Sequence, residues 1–290
     1  MKRTLLFFFV CAAGTAMAQT KTISQAIITT KTTIVSPEGQ EDGAPPAPPA
    51  PEGAVVRTFS FGGDGETKSV TTLKGELVKT FTETDMSRTT VIRDNGKKMT
   101  TTLMEMMGNK TGFYASDADQ EEMRKRMDSL MQTRNQQGMN NSGQQVSGTE
   151  ISYLDETKKI AGQQCKKALI IATRKNGTKD STAVWYCPDF KLQGLVSTGG
   201  MGNAMGFGFG NRNTGLAGLA DLAGFPMQYE MKMNRGRKMI IEVTRIVTDK
   251  EIADKEFDIP KDFTLKSAKE MQNGDGRMQI RIGGPGPGGQ

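Results

Sequence analysis

Along most of the chain, apolar and polar positions alternate with the period of two that a half-buried β-strand requires. Between residues 19 and 36, the β-favouring Thr22, Ile23, Ile27, Ile28, Thr29, Thr30, Thr32, Thr33, Ile34 and Val35 predict one long first strand. Val55, Arg57, Phe59 and Phe61 alternate again, and residues 70–107 read as strands separated by polar turns. Asp94-Asn95-Gly96-Lys97 has the composition of a two-residue hairpin turn, a register that sets Ile92 opposite Met99. The period changes at Ser116, which starts a helix with Asp119 as its capping-box acid. Met123, Met127, Leu130 and Met131 form the apolar stripe of that helix.

Two later hairpins can be registered residue by residue. Lys175-Asn176-Gly177 fits a three-residue loop ending in a left-handed glycine. Pairing Arg174 with Thr178 sets Leu169 against Ala183, Lys167 against Trp185 and Cys165 against Cys187. In the second hairpin, Met227, Tyr229, Met231 and Met233 alternate with Gln228, Glu230, Lys232 and Asn234. A loop at Arg235-Gly236-Arg237 brings them opposite Arg245, Val243, Ile241 and Met239, respectively. Leu216, Leu219 and Leu222 mark a short helix between the hairpins.

These elements predict a mainly β (α+β) chain, a curved antiparallel sheet or half-barrel with one longer and one short helix. Lys2 and Arg3, an apolar run from Leu5 to Ala13, and Ala16-Met17-Ala18 predict a signal peptide over 1–18, cleaved after Ala18. A single β-rich domain is then expected over 19–264. It contains a Pro-rich loop at 37–53, a polar linker at 135–149 and a Gly-rich loop at 197–215. Residues 265–290 read as a flexible tail. The chain is therefore expected in the periplasm or outside the cell, with no second apolar run long enough to span a membrane.

Composition narrows the chemistry. The 290 residues include no histidine, which removes the Ser-His-Asp triad, the His general base and most catalytic zinc sites. No catalytic residue, metal ligand set or cofactor is assigned, and the chain reads as a non-enzyme. Losing Lys2 and Arg3 lowers the net charge from +6 to +4, and no basic block marks a nucleic-acid footprint. Cys165 and Cys187 are the only cysteines after cleavage, an even pair that the hairpin register brings together, and they predict a disulfide. Of 19 methionines, 17 remain after losing Met1 and Met17. Such a surplus serves adaptable apolar surfaces, with soft Cu(I) ligation as an alternative. Gly206-Phe207-Gly208-Phe209-Gly210 lacks the lysine and the strand-to-helix setting of a phosphate loop.

Ile160-Ala161-Gly162-Gln163-Gln164-Cys165-Lys166-Lys167, Val184-Trp185-Tyr186 and Gly224-Phe225-Pro226-Met227 occur in that order. Glu242-Val243-Thr244-Arg245-Ile246 and Phe257-Asp258-Ile259-Pro260-Lys261-Asp262-Phe263 follow. The series resembles the secreted bacterial family called domain of unknown function forty-four twelve. That family is similar in fold to the periplasmic lipoprotein-localisation carriers, whose curved sheet half-encloses helices over an apolar cavity. The resemblance implies a fold and no active site. It implies an apolar ligand (a lipid, an acyl chain, an acylated protein segment or a hydrophobic peptide) in a sheet-lined groove. The candidate lining residues are Met227, Tyr229, Met231, Met233, Met239, Ile241 and Val243, with loop 197–215 as a lid. The alternative is an envelope structural or interaction module with a filled core.

Overall fold

The computed structural model describes residues 20–36, 65–84, 87–135, 146–193, 195, 215–233 and 236–273. Strands dominate. In chain order they are β1 (Lys21–Ile23), β2 (Gln25–Val35), β3 (Gly65–Lys74), β4 (Leu77–Glu83), β5 (Ser87–Asp94), β6 (Met99–Met106) and β7 (Asn109–Ser116). After helix α1 (Asp117–Asn135) come β8 (Val146–Ile160), β9 (Gln163–Arg174), β10 (Lys179–Cys187) and β11 (Phe190–Leu192). A 3-10 helix, Gly215–Asp221, leads to β12 (Phe225–Lys232) and β13 (Lys238–Val247). A second 3-10 turn (Asp254–Phe257), β14 (Thr264–Ser267) and helix α2 (Ala268–Asn273) follow.

Twelve strands form one sheet in the order β14-β7-β6-β5-β4-β3-β2-β13-β12-β10-β9-β8. Every pair in it is antiparallel except β14 with β7. The mainly β, antiparallel class read from the sequence is therefore the observed one. The predicted first strand is split at Ser24: β1 leaves the sheet to pair in parallel with β11, and β2 alone enters it. Order also continues past residue 264, because β14 and α2 occupy the start of the expected tail. The expected 135–149 linker is shorter at its far end, since β8 already begins at Val146. The signal peptide, the Pro-rich loop, the alternating stretch at 55–61 and most of the Gly-rich loop lie outside the described residues.

Turn chemistry explains the connections. Ile160 pairs with Gln163 across Ala161 (φ +48°) and Gly162 (φ +81°), the two positive values a tight type I′ hairpin demands. Asp94-Asn95-Gly96-Lys97 behaves differently from its composition. Asp94 pairs with Met99 and Ile92 with Thr101, so the loop spans four residues rather than two. The Asp94 carboxylate accepts the Lys97 backbone N–H at 2.9 Å, and Lys98, at φ +52°, makes the left-handed closing step. The slip is two residues, so each side chain keeps its face. At α1 the capping box forms as predicted: Ser116 Oγ and backbone N–H donate to the Asp119 carboxylate at 2.7 and 3.0 Å, and the Asp119 N–H donates to Ser116 Oγ at 3.1 Å. Arg93 grips Asp117 with both terminal guanidinium nitrogens and fixes the helix against the sheet.

The two faces of the sheet are buried at different places. On one, here the core face, Ile170, Val184, Met227, Val243, Ile28, Leu73 and Val78 are nearly inaccessible. Phe190, Leu192, Leu219, Leu222 and Phe225 belong to the same apolar cluster. The 3-10 helix packs so closely that a Cβ on Gly218 would come within 2.8 Å of Ile170. Among the described residues, the opposite face is covered from β2 to β7 by the C-terminal segment, which also donates the Ile252 N–H to the Gln25 side chain on β2. Lys74 Nζ donates to the Ile252 carbonyl at 2.8 Å and Lys79 Nζ to the Glu256 carbonyl at 2.7 Å. Leu265 and Leu103 fill the space where Gly112 lacks a side chain.

Candidate functional site

The β9–β10 hairpin has the register read from sequence. Arg174 N–H donates to the Thr178 carbonyl at 2.8 Å, and Gly177 takes φ +82°. Leu169 stands opposite Ala183 and Lys167 opposite Trp185. In the β12–β13 hairpin the loop lies one residue earlier than predicted. Met233 N–H donates to the Arg237 carbonyl at 2.8 Å, leaving three positions between them, the last being Gly236 at φ +72°. Tyr229 therefore faces Ile241, and Met231 faces Met239, in place of Val243 and Ile241. Glycine at the closing position decides the loop, as it does at Gly177.

The same displacement of two residues keeps all seven candidate lining residues on one face. Met227, Tyr229, Met239, Ile241 and Val243 are each 5% exposed or less, within the main apolar cluster. Met231 and Met233 are half-buried and pack against that cluster at one end. Burial pushes the Tyr229 hydroxyl far above its usual range, so it is a neutral phenol at any physiological pH.

Cross-strand rows show what continues from this strip. One runs Ala168, Val184, Tyr229, Ile241, Thr32, Thr67. The next runs Val243, Thr30, Ser69, Thr82, Thr89. Both change from apolar to hydroxylic between β13 and β2. Ser69 and Thr82 hydroxyls lie 2.9 Å apart, and those of Thr71 and Thr80 lie 3.1 Å apart. Thr30 is 1% exposed and its hydroxyl has no hydrogen-bond partner among the described residues. From β12 to β4 the core face carries no charged side chain. These buried threonines escaped the sequence reading because a hydroxyl in an alternating strand normally faces water.

The opposite face carries a charged row, whereas the core face has charges at its flanks, Arg174 with Asp180 on β9 and β10 and Arg93 on β5. One register row crosses ten strands: Lys167, Trp185, Gln228, Glu242, Lys31, Lys68, Glu83, Arg88, Glu105, Lys110. Glu156 holds Lys167 at 2.8 Å at one end, and Asp262 holds Lys110 at 2.6 Å at the other. Lys158 and Lys167 lie 5.8 and 5.6 Å from the Trp185 ring centre.

Cys165 and Cys187 are buried thiols here, both within the apolar cluster. Desolvation, and then the neighbouring Cys187, push the Cys165 thiol up to about 11, and desolvation raises Cys187 as well. Neither is an activated nucleophile. Among the described residues, no group of three or more Cys, Asp or Glu could hold a metal ion. No described helix is long and apolar enough to cross a membrane.

Motifs singled out in the sequence acquire structural reasons. A Cβ on Gly224 would lie 2.0 Å from the Cys187 carbonyl oxygen, so only glycine permits this strand entry. Tyr153 accepts the Ala223 N–H at 3.0 Å and meets Tyr186 edge-on at 5.5 Å. Val184-Trp185-Tyr186 carries the bulge in the β10–β12 pairing.

No family model and no curated protein matches the chain. Among solved structures it is similar to PNGF-II, at 12% identity and a TM-score of 0.36, over 86% of this chain and 32% of that one. The chain thus spans about a third of the PNGF-II chain's length. It is also similar to the LolA superfamily protein NE2245 from Nitrosomonas europaea, at 8% identity and a TM-score of 0.30, covering 81% of this chain and 90% of that one. A domain from Vibrio parahaemolyticus assigned to outer membrane lipoprotein sorting matches at 8% identity and a TM-score of 0.26, covering 81% and 89%. Likenesses this loose leave the function to be argued from the chain's own geometry.

Proposed function

We propose that the chain binds an apolar molecule (a lipid, an acyl chain or acylated protein segment, or a hydrophobic peptide) against the core face of its sheet, and catalyses no reaction. The observation that carries this reading is the division of the two faces. On one side a row crossing ten strands carries charges on eight of them, and on the other no charge occurs between β12 and β4. Met231 and Met233, half-buried at the end of the apolar strip, supply the adaptable side chains such a surface uses. Apolar burial of about 25 cal/mol per Å² would drive binding. The reading includes export, with cleavage after Ala18 and a Cys165–Cys187 disulfide in the oxidising compartment.

The test is titration of the mature chain with the uncharged fluorescent probe N-phenyl-1-naphthylamine. Saturable fluorescence enhancement by the folded protein is expected, weakened at least about tenfold by Met231→Asp at an unchanged melting temperature. A folded protein that leaves the probe dark rejects the reading. A second reading, an interaction module with a filled core, is favoured by the near-complete burial of Met227, Tyr229, Met239, Ile241 and Val243. It predicts that dark result.

A further inference from the structure

We infer that the face of the sheet turned away from the core carries a binding site of its own, around Trp185 on β10, for an uncharged saccharide. The site does not depend on whether the core face holds a ligand. Trp185 is the chain's only tryptophan and the only aromatic ring in the row that crosses ten strands. It packs against the apolar cluster yet stays partly exposed. Leu169 and Ala183, opposite one another on the same face, are partly exposed as well, and Glu156 and Lys158 are fully exposed. Solvent therefore reaches the indole and its surroundings.

Polar side chains border the ring in a fixed order. Toward β9, Lys167 donates to both carboxylate oxygens of Glu156, at 2.8 and 3.0 Å. Toward β12, Lys158 Nζ donates to Gln228 Oε1 at 2.8 Å, and Gln228 Nε2 donates to Glu242 Oε2 at 3.0 Å. Both ammoniums lie within 6 Å of the ring centre. A pyranose matches this arrangement. One of its faces is a plane of polarised C–H groups, drawn to the negative face of an indole as the two ammoniums are. Its rim is hydroxyls, each both donor and acceptor, which suits a border of ammonium, carboxamide and carboxylate. Two carboxylates and two ammoniums leave that border without net charge, so it favours neither an acidic nor a basic polymer. A protein partner would have to strip water from Glu156, Lys167 and Glu242, whereas hydroxyls replace that water group by group.

Because Trp185 is the only tryptophan, its emission reports this site alone. The test titrates the mature chain with cellohexaose, chitohexaose and mannohexaose, and with hexagalacturonate as the charged comparison. At least one neutral hexasaccharide is expected to change the emission saturably and to reduce quenching by acrylamide, binding at least about fivefold more tightly than hexagalacturonate. By calorimetry, Trp185→Ala should weaken that ligand at least about tenfold and Glu242→Ala at least about threefold, at unchanged melting temperatures. No response to any of the three at about 10 mM overturns the inference. Hexagalacturonate bound as tightly as the best neutral sugar overturns the neutral specificity. Full affinity in Trp185→Ala overturns the stacking role. Should that variant fail to fold, undiminished acrylamide quenching in the saturated parent chain does the same.

Discussion

Glu242 on β13 stands directly opposite Lys31 on β2, at the middle of the charged row. Lys31 also holds Glu66 at 2.7 Å, and Glu66 is the principal reason its ammonium is held above the usual lysine range. Both side chains of that ion pair are about half exposed, so solvent and salt screen it. Its importance is positional: a one-residue slip between β2 and β13 would carry this row into the uncharged core face. Lys31→Glu is expected to lower the melting temperature by about 1–3 °C in dilute buffer, with the difference shrinking in 1 M salt. Adding Glu242→Lys should recover most of the loss. A salt-independent loss would show that packing, rather than charge, fixes the register.

Close backbone approach yields the sharpest stability prediction. Gly224→Ala drives a methyl group to 2.0 Å from the Cys187 carbonyl oxygen, and the backbone of Pro188 blocks relief. A destabilisation of about 2–3 kcal/mol or more is expected in urea unfolding. Gly148→Ala, with nothing within 4 Å of the new atom, is the matched control and should change little. Comparable midpoints for the two variants would contradict the close packing of β12 against the end of β10.

Where glycine fixes a loop, the register was legible in the sequence. Lys175-Asn176-Gly177 allowed the whole β9–β10 pairing to be derived because Gly177 occupies the left-handed closing position. The same rule holds at Gly236, which closes the β12–β13 loop at φ +72° and so shifts the pairing by two residues from one with glycine at the loop's middle. The face of Met227, Tyr229 and Met231 survived because strand period two tolerates that slip. β1 and β14 were not legible as separate strands, because parallel pairs leave no turn signature between their partners. The hydroxylic half of the core face was hidden for another reason. Ser69 and Thr71 flank Val70, and Thr80 precedes Phe81, so polarity alone pointed these hydroxyls outward.

Cys165 and Cys187 bear on compartment. Mild oxidation of the folded chain is expected to remove two hydrogens, and the bridge should raise stability by about 3 kcal/mol in the chain-entropy model. Before oxidation, both thiols should react slowly with an alkylating reagent at pH 8, because burial raises them and Cys165 reaches about 11. Intact mass spectrometry reads both results. Persistence of two free thiols in the exported, folded protein would exclude the disulfide, and fast labelling would exclude their burial.

The start of α1 offers a test by pH. Hydrogen bonds from Ser116, and then Lys269 at 3.0 Å, hold the Asp119 carboxyl down at about 2, against an ordinary value of 3.8. A depressed folded value means that the unfolded chain takes up the proton first as pH falls. The stabilisation from Asp119 is therefore fully present above about pH 4 and disappears as the pH drops toward 2. Asp119→Asn removes the charge and should melt below the parent chain at pH 7, with the gap closing between pH 4 and 2. Lys269→Ala should reproduce part of that gap, because the ammonium also reaches Glu122 at 3.7 Å across to α1. The deciding measurement is the difference in melting temperature at each pH. A gap that stays constant from pH 7 to 2 would show that Asp119 acts through shape, and that the Ser116 cap owes nothing to its charge.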